Sequence, residues 1–369
     1  MSDERRRGGS KSLKRRSSHK QQSRSEFDFI DLIKSRALKS QRITRSPNSS
    51  LITHHSSLLQ GIGDDAAVIR QSRGNDLVVT SDLLIEDIDF RLEWTTPQLL
   101  GHKALAVSLS DIAAMGATPR YALLSIGIPT NIWKTNFIDE LYDGFFALAD
   151  AHNVALIGGD VSRSPKHVVI DSIVIGEVKR GHAILRSGAK PGDHIFVTGS
   201  LGGAAAGLKL LESGVRISHQ NPRSHRARAE QRLLIRQLLP EPRVAWGTLL
   251  SEERLATGMI DVSDGLSSDL THLCKESGVG ARIQLSLVPM DPNIMHFRKS
   301  DFDHVSMALN GGEDFELLFT VNPRNLRRLP LRLRNGRATY IGDITRGSTD
   351  IAIDGLLSRP LTSAGFKHF

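Results

Sequence analysis

Cysteine is nearly absent: Cys274 is the only one in 369 residues. That excludes an internal disulfide framework and fits a reducing, cytoplasmic setting. No pair of Cys or His residues has zinc-ligand spacing. The sequence has no apolar run of about 18 residues, so no segment is a candidate membrane span. The N-terminus lacks the apolar stretch that a secretory signal needs. Three common catalytic signatures are missing too. "GGAAAGLKL" has glycines but no Gly-Lys-Ser/Thr, no full GxGxxG is followed by an acidic ribose contact, and nothing resembles a nucleophile elbow.

Acidic residues fall short of basic ones by eight, but the imbalance is local. Residues 1–25 hold nine Lys or Arg against Asp3 and Glu4, leaving a net charge of only +1 for the remainder. This tail has almost no apolar residues and is expected to be disordered, without an essential role. The near-neutral body and the lack of an RNA-binding motif make nucleic acid an unlikely partner, apart from weak contacts of the tail.

The body alternates strand and helix patterns, which predicts an α/β or α+β class. A short amphipathic helix is expected in "FDFIDLIKSRAL", and a strand from Leu77 that ends at Asp82. A helix is expected from Thr96 and Pro97 to just before Gly116, and another over 136–152. "VALIGG" reads as a strand stopping at Asp160, and "HVVIDSIVIGEV" alternates as a strand. The domains are placed at 26–180 and 181–369. The segment 218–236, rich in Arg and His, reads as an exposed excursion. Strands are expected at "GMIDV", "ARIQLSLV", "FELLFTV" and "ATYIGDI", with a helix ending near Ser277.

What the chain has in quantity is aspartate at the expected ends of elements: Asp64, Asp65, Asp82, Asp160, Asp261 and Asp264. Asp111 continues the row Leu100, Ala104, Val107 on a core-facing helix stripe, where a carboxylate is costly unless paired or bound to a cation. Asp264 has a second reading as the cap of the helix that follows, a role that leaves Asp261 unexplained. "NGGEDFELLF" adds Glu313 and Asp314 before a strand. Clustered carboxylates need a positive partner, and oxygen-only donors select a hard ion such as Mg2+. Several magnesium ions without a P-loop point to a substrate rich in phosphate. No dedicated general base is expected, and none is needed if the acceptor is itself a phosphate, because its second pKa is about 6.

"GIGDDAAVI", "VVTSDLLIEDIDF", "HKALAVSLSDIAAMGATP", "LIGGD", "LRSGAKPGDHIFVTG", "IDVSDGLSSDL" and "NGGEDFELLF" together resemble the thiamine-monophosphate kinase family, in its order and spacing, from about Phe27 to the C-terminus. The resemblance implies the two-domain fold of aminoimidazole ribonucleotide synthetase, with an N-terminal mixed sheet and helices, a C-terminal α/β domain, and a homodimer formed through the N-terminal domains. It implies transfer of the ATP γ-phosphoryl group to thiamine monophosphate with Mg2+. Asp65, Thr80, Ser81, Asp82, Asp111, Asp160, Asp261 and Asp264 would hold magnesium. Gly159, Asp160, Arg186 and Ser263 would contact ATP, and Glu313 and Phe366 the thiamine moiety. Asp89 stands where the family often has His, as a substrate contact or as a partner of a neighbour. The alternatives are other ATP-dependent members of the superfamily, of the selenophosphate synthetase or hydrogenase-maturation kind. Their reactive or C-terminal Cys has no counterpart in Cys274.

Overall fold

The computed structural model describes residues 32–37, 39, 58–60, 68–69, 73–218, 222–298, 302–330, 332–333, 336–347, 351–354 and 359–360. The basic tail, Asp64, Asp65 and Phe366 lie outside the described residues. A short helix, α1 (residues 32–37), buries Ile33 and Ala37 against the core. Strands β1 (Leu58–Gln60) and β2 (Val68–Ile69) form a small antiparallel pair.

The first large sheet contains β3 (Asn75–Ile85), β4 (Thr118–Ile128), β5 (Ala155–Arg163) and β6 (Val169–Lys179), in the order β3-β6-β4-β5. The β4/β5 pair is parallel, and its crossover carries α3 (Thr130–Trp133) and α4 (Phe137–Ala151). The other two pairs are antiparallel. In β6, buried and half-buried positions alternate along the strand, as expected for a sheet with one helix-covered face.

Between β3 and β4 runs α2 (Pro97–Ala114). Thr96 Oγ1 accepts the Leu99 N–H at its start, and Pro97 sits where a missing N–H costs nothing. This helix is buried on nearly every side. It meets α4 at backbone distance, since a Cβ on Gly101 would fall 1.8 Å from the Leu141 carbonyl oxygen and one on Gly144 equally close to that of Gln98. Only glycine permits either approach.

The second half begins with β7 (His194–Thr198) and α5 (Gly203–Glu212), then α6 (His225–Leu238) and α7 (Val244–Glu252). Next come β8 (Ala256–Val262), α8 (Leu266–Ser277), β9 (Gly280–Gln284), α9 (His304–Asn310) and β10 (Glu316–Val321). The described part ends with β11 (Arg332–Leu333), β12 (Gly336–Thr345), β13 (Ile351–Asp354) and β14 (Arg359–Pro360). The sheet order is β14-β13-β9-β12-β7-β10-β8, with β11 paired to β12. One hydrophobic core is continuous across both halves. It joins α2 residues such as Leu105 and Leu109 to Trp246 of α7 and Phe319 of β10. Gly247 of α7 lies against the Ala113 carbonyl, which clamps the last turn of α2 between the two sheets. The architecture is α+β with two units.

Several sequence expectations need correction. Asp82 and Asp160 do not end strands: β3 runs on to Ile85 because β6 supplies partners as far as Val169, and β5 continues to Arg163 beside β4. The expected excursion at 218–236 is largely α6, capped by Ser224, with Ala229, Leu233, Leu234 and Leu238 buried. Its apolar stripe is hidden in the sequence among arginines, of which Arg226, Arg228 and Arg232 are exposed while Arg236 turns inward to Glu316. In "ARIQLSLV" the strand stops at Gln284, and the chain turns through residues 285–287.

Candidate active site

Alternation along β3 puts Thr80 and Asp82 on the face that meets α2, with Ser81 on the other face. Thr80 Oγ1 donates to Asp111 Oδ2 at 2.5 Å. Ser108 Oγ donates to Asp82 Oδ2 at 2.7 Å, and Ser110 Oγ to Asp261 Oδ2 at 2.7 Å. Three aspartates from β3, α2 and β8 are thereby assembled around the last two turns of α2. Ser81 Oγ instead donates to Asp171 on β6, on the outer face.

The electrostatics are unfavourable. Burial, then the charge of Asp111, raises the Asp82 carboxyl to about 6. Burial and Asp111 likewise raise Asp261 to about 7, although Ser110 and Arg186 oppose the shift. Asp111 lies in the last turn of α2, which has no basic residue and presents the negative end of the helix dipole. Asp269 rises to about 8 through burial and the charges of Asp261 and Asp264. Its carboxylate accepts the N–H groups of Asp264 and Gly265, so Asp269 serves the start of α8 and the Asp264 side chain is not its cap.

Two clefts flank this cluster. The larger, about 720 Å³, is lined by Thr80, Asp111 and Arg186 together with apolar Leu77, Met115 and Met259. The smaller, about 340 Å³, is lined by Asp82, Asp89, Ser263, Asp264 and Glu313 together with aromatic Phe90 and Trp94. Asp89 Oδ2 accepts the Ile85 N–H at 2.8 Å, so it bonds its own turn while standing in the cleft wall. Glu313 is held by Lys103 at 2.7 Å and by the Gln237 amide. Its φ of +64° places it in left-handed backbone after two glycines. Gly159 and Asp160 are not brought to either cleft. They are exposed on edge strand β5, separated from β3 by two strands.

The glycine-rich loop before α5 already holds an anion. The Asp314 carboxylate accepts the Gly202 N–H at 2.5 Å and the Ala204 N–H at 3.1 Å. Ser108, Ser110, Lys103, Asp171 and Asp269 were not singled out from sequence. The signal available for the two serines was their place in the helix that carries Asp111.

Residues 63–178 match the N-terminal domain of AIR synthase related proteins, and residues 190–354 match the C-terminal domain. The thiamine-monophosphate kinase of Bacillus subtilis is 36% identical over 349 residues, 93% of this chain and 99% of that one. The Escherichia coli enzyme of that name is 38% identical over 319 residues, 84% and 91% of the two chains. This chain belongs to the thiamine-monophosphate kinase family. Among solved structures, the thiamine-monophosphate kinase of Stenotrophomonas maltophilia superposes with a TM-score of 0.76 at 35% identity, over 90% of this chain and 97% of that one. AaThiL in complex with AMPPCP and TMP gives 0.70 at 28% identity, over 93% and 97%. The hydrogenase maturation protein HypE of E. coli, at 16% identity and a TM-score of 0.65 over 92% and 97%, shares the fold.

Whether the donor set suits magnesium turns on charge. Among the described residues no three His, Cys, Asp or Glu side chains form a group that would hold an ion. Magnesium seldom needs such a cage, because it keeps waters and binds one or two carboxylates along with substrate phosphates. Hard oxygen donors such as Asp82 and Asp261, whose pKa values are raised by burial and then by the charge of Asp111, fit that requirement.

Proposed function

We propose that this protein transfers the γ-phosphoryl group of ATP to thiamine monophosphate, giving thiamine diphosphate and ADP. The observation that carries the reading is the meeting of two clefts at one carboxylate cluster. Thr80 and Asp111 face the larger cleft, and Asp82 and Asp264 face the smaller. A nucleotide in the first and a phosphorylated acceptor in the second would bring their phosphates together there. The AaThiL complex with AMPPCP, an ATP analogue, and TMP supports this pairing of ligands.

Asp82, Asp111, Asp261 and Asp264 would hold magnesium, joined by Thr80 and by Asp65 from outside the described residues. When bound, Mg2+ supplies the positive charge that lets two phosphates approach and align. Arg186 and Ser263 would contact the triphosphate. An oxygen of the acceptor phosphate, already anionic near neutral pH, attacks the γ-phosphorus as the bond to the β-phosphate oxygen breaks. No side chain has to remove a proton. Glu313 and Phe366, the latter outside the described residues, would contact the thiamine moiety, and Asp89 would face its cationic thiazolium ring. Thiamine monophosphate is expected to be phosphorylated by ATP and Mg2+, and free thiamine is not. Efficient formation of the monophosphate from thiamine would sink the reading.

The functional unit in this proposal is a homodimer. On β3, Leu77, Val79 and Leu83 are 49%, 62% and 55% exposed and alternate with the residues that face α2. They reach the rims of the clefts, Leu77 and Val79 of the larger and Leu83 of the smaller. An apolar row of this kind on a sheet marks a contact surface. A second copy covering it would let Gly159 and Asp160 complete the partner's nucleotide site, which explains their distance from the clefts of their own chain. Ile175, on the same face of β6 and opposite Val79 in register, lines neither cleft. Ile175→Glu is expected to halve the mass seen by sedimentation velocity and to lower turnover at least tenfold. A fully active monomer would show that one chain holds a complete site.

A further inference from the structure

Lys103 presents a problem in the acceptor cleft. It is only 4% exposed, and burying an ammonium is expensive unless a counter-charge is close. It lines a cleft whose proposed occupant carries a cationic ring, so direct contact with that ring would be repulsive. The counter-charge is Glu313, across the junction of the two halves: Lys103 Nζ lies 2.7 Å from Oε1. The other carboxylate oxygen, Oε2, accepts from Gln237 Nε2.

A carboxylate only accepts, so Gln237 has to turn its NH2 toward Glu313. This settles which way the amide faces. Its carbonyl oxygen is then left over, and Gln237 Oε1 is buried with no hydrogen-bond partner among the described residues. Gln237 is itself 4% exposed and lines the same cleft. Buried carbonyl oxygens are rarely left unpaired, and one in a binding cleft calls for an N–H donor on the ligand.

We propose that Lys103, Glu313 and Gln237 act as one recognition unit for the organic part of the acceptor. Gln237 Oε1 takes a hydrogen bond from an amino group, such as that of an aminopyrimidine, and so determines specificity. Lys103 is a positioning residue: it fixes Glu313, and Glu313 fixes the amide. The Glu313 backbone N–H also donates to the Ser263 carbonyl at 2.7 Å, which ties the unit to the loop that carries Asp264. The proposal rests on the acceptor reading given above.

The test compares thiamine monophosphate with oxythiamine monophosphate, in which an oxo oxygen replaces the amino group. The wild-type protein is expected to favour the amino compound at least tenfold in kcat/KM, because two oxygens would otherwise face each other. Gln237→Leu is expected to reduce that preference to within about threefold. Lys103→Met is expected to raise the acceptor KM about tenfold, leaving the ATP KM within twofold and kcat within threefold, with Lys103→Arg closer to wild type. The double variant should be no worse than the weaker single variant, since the residues act in series. Gln237→Leu carries the test by itself if Lys103→Met does not fold. A Gln237→Leu protein that keeps the full preference overturns the proposal, and so do fully additive effects of the two substitutions. A wild-type protein that makes no diphosphate from thiamine monophosphate overturns the acceptor reading instead.

Discussion

Asp82→Asn is expected to lower turnover by roughly 10²-fold or more, about 2.7 kcal/mol of transition-state stabilisation, with partial recovery in excess Mg2+. The side chain keeps its shape, so Ser108 retains an oxygen to donate to. What is lost is one charge from the cluster at the junction of the clefts. Stability should respond in the opposite direction to turnover. Asp82, Asp261 and Asp269 hold protons up to about 6, 7 and 8, against about 4 in an unfolded chain. Between those limits the folded state binds more protons than the unfolded state. Without metal, stability should therefore fall as pH rises from about 4 through 8. Asp82→Asn removes one of these groups, so its melting temperature should be equal or higher at pH 8, and less dependent on pH. Adding Mg2+ at pH 8 should raise the wild-type melting temperature more than that of the variant. Normal turnover by Asp82→Asn across a Mg2+ titration would mean the residue is only part of a strand.

Glu316→Gln is expected to cost about 3 kcal/mol of stability or more, measured by denaturant unfolding, because it removes the counter-charge shared by buried Arg243 and half-buried Arg236. Arg243 grips Glu316 in a fork, with Nε at 2.6 Å and Nη2 at 2.7 Å, and Arg236 Nη2 lies at 3.1 Å. Thr198 Oγ1 adds a hydrogen bond at 2.7 Å. Burial alone would raise this carboxyl, but the two guanidinium groups outweigh it and hold the pKa below its ordinary value. The sign is the reverse of that for Asp82. The stabilisation from Glu316 is fully present above the unfolded pKa and is lost as pH falls through the depressed folded one. The deficit of Glu316→Gln should accordingly stay constant from pH 6 to 8. A loss below 1 kcal/mol would show that the arginines find other partners.

Whatever depends on near neighbours along the chain was legible in the order of the amino acids. Thr96 and Pro97 start α2, the alternation of "HVVIDSIVIGEV" makes β6, and Asp111 on an apolar stripe marks a carboxylate in need of a partner. The ordered set of motifs identified the family, and with it the fold. Local signals stop at the ends of elements. Where β3 and β5 end is decided by how far β6 and β4 extend beside them, so Asp82 and Asp160 could not be placed from their own flanks. The packing of α2 on β3 puts Asp82 near Asp111, while the order β3-β6-β4-β5 leaves Asp160 at the far edge. α6 was hidden because four arginines are interleaved with the four apolar residues that the second half buries. Asp269 replaces Asp264 at the head of α8 because its position in the first turn points the carboxylate back at those N–H groups. Lys103 meets Glu313 across 210 positions, a pairing that exists only because α2 is clamped between two sheets. Motifs along the chain name the groups that carry chemistry, and long-range packing decides which of them face one another, because charge and hydrogen bonding act through space.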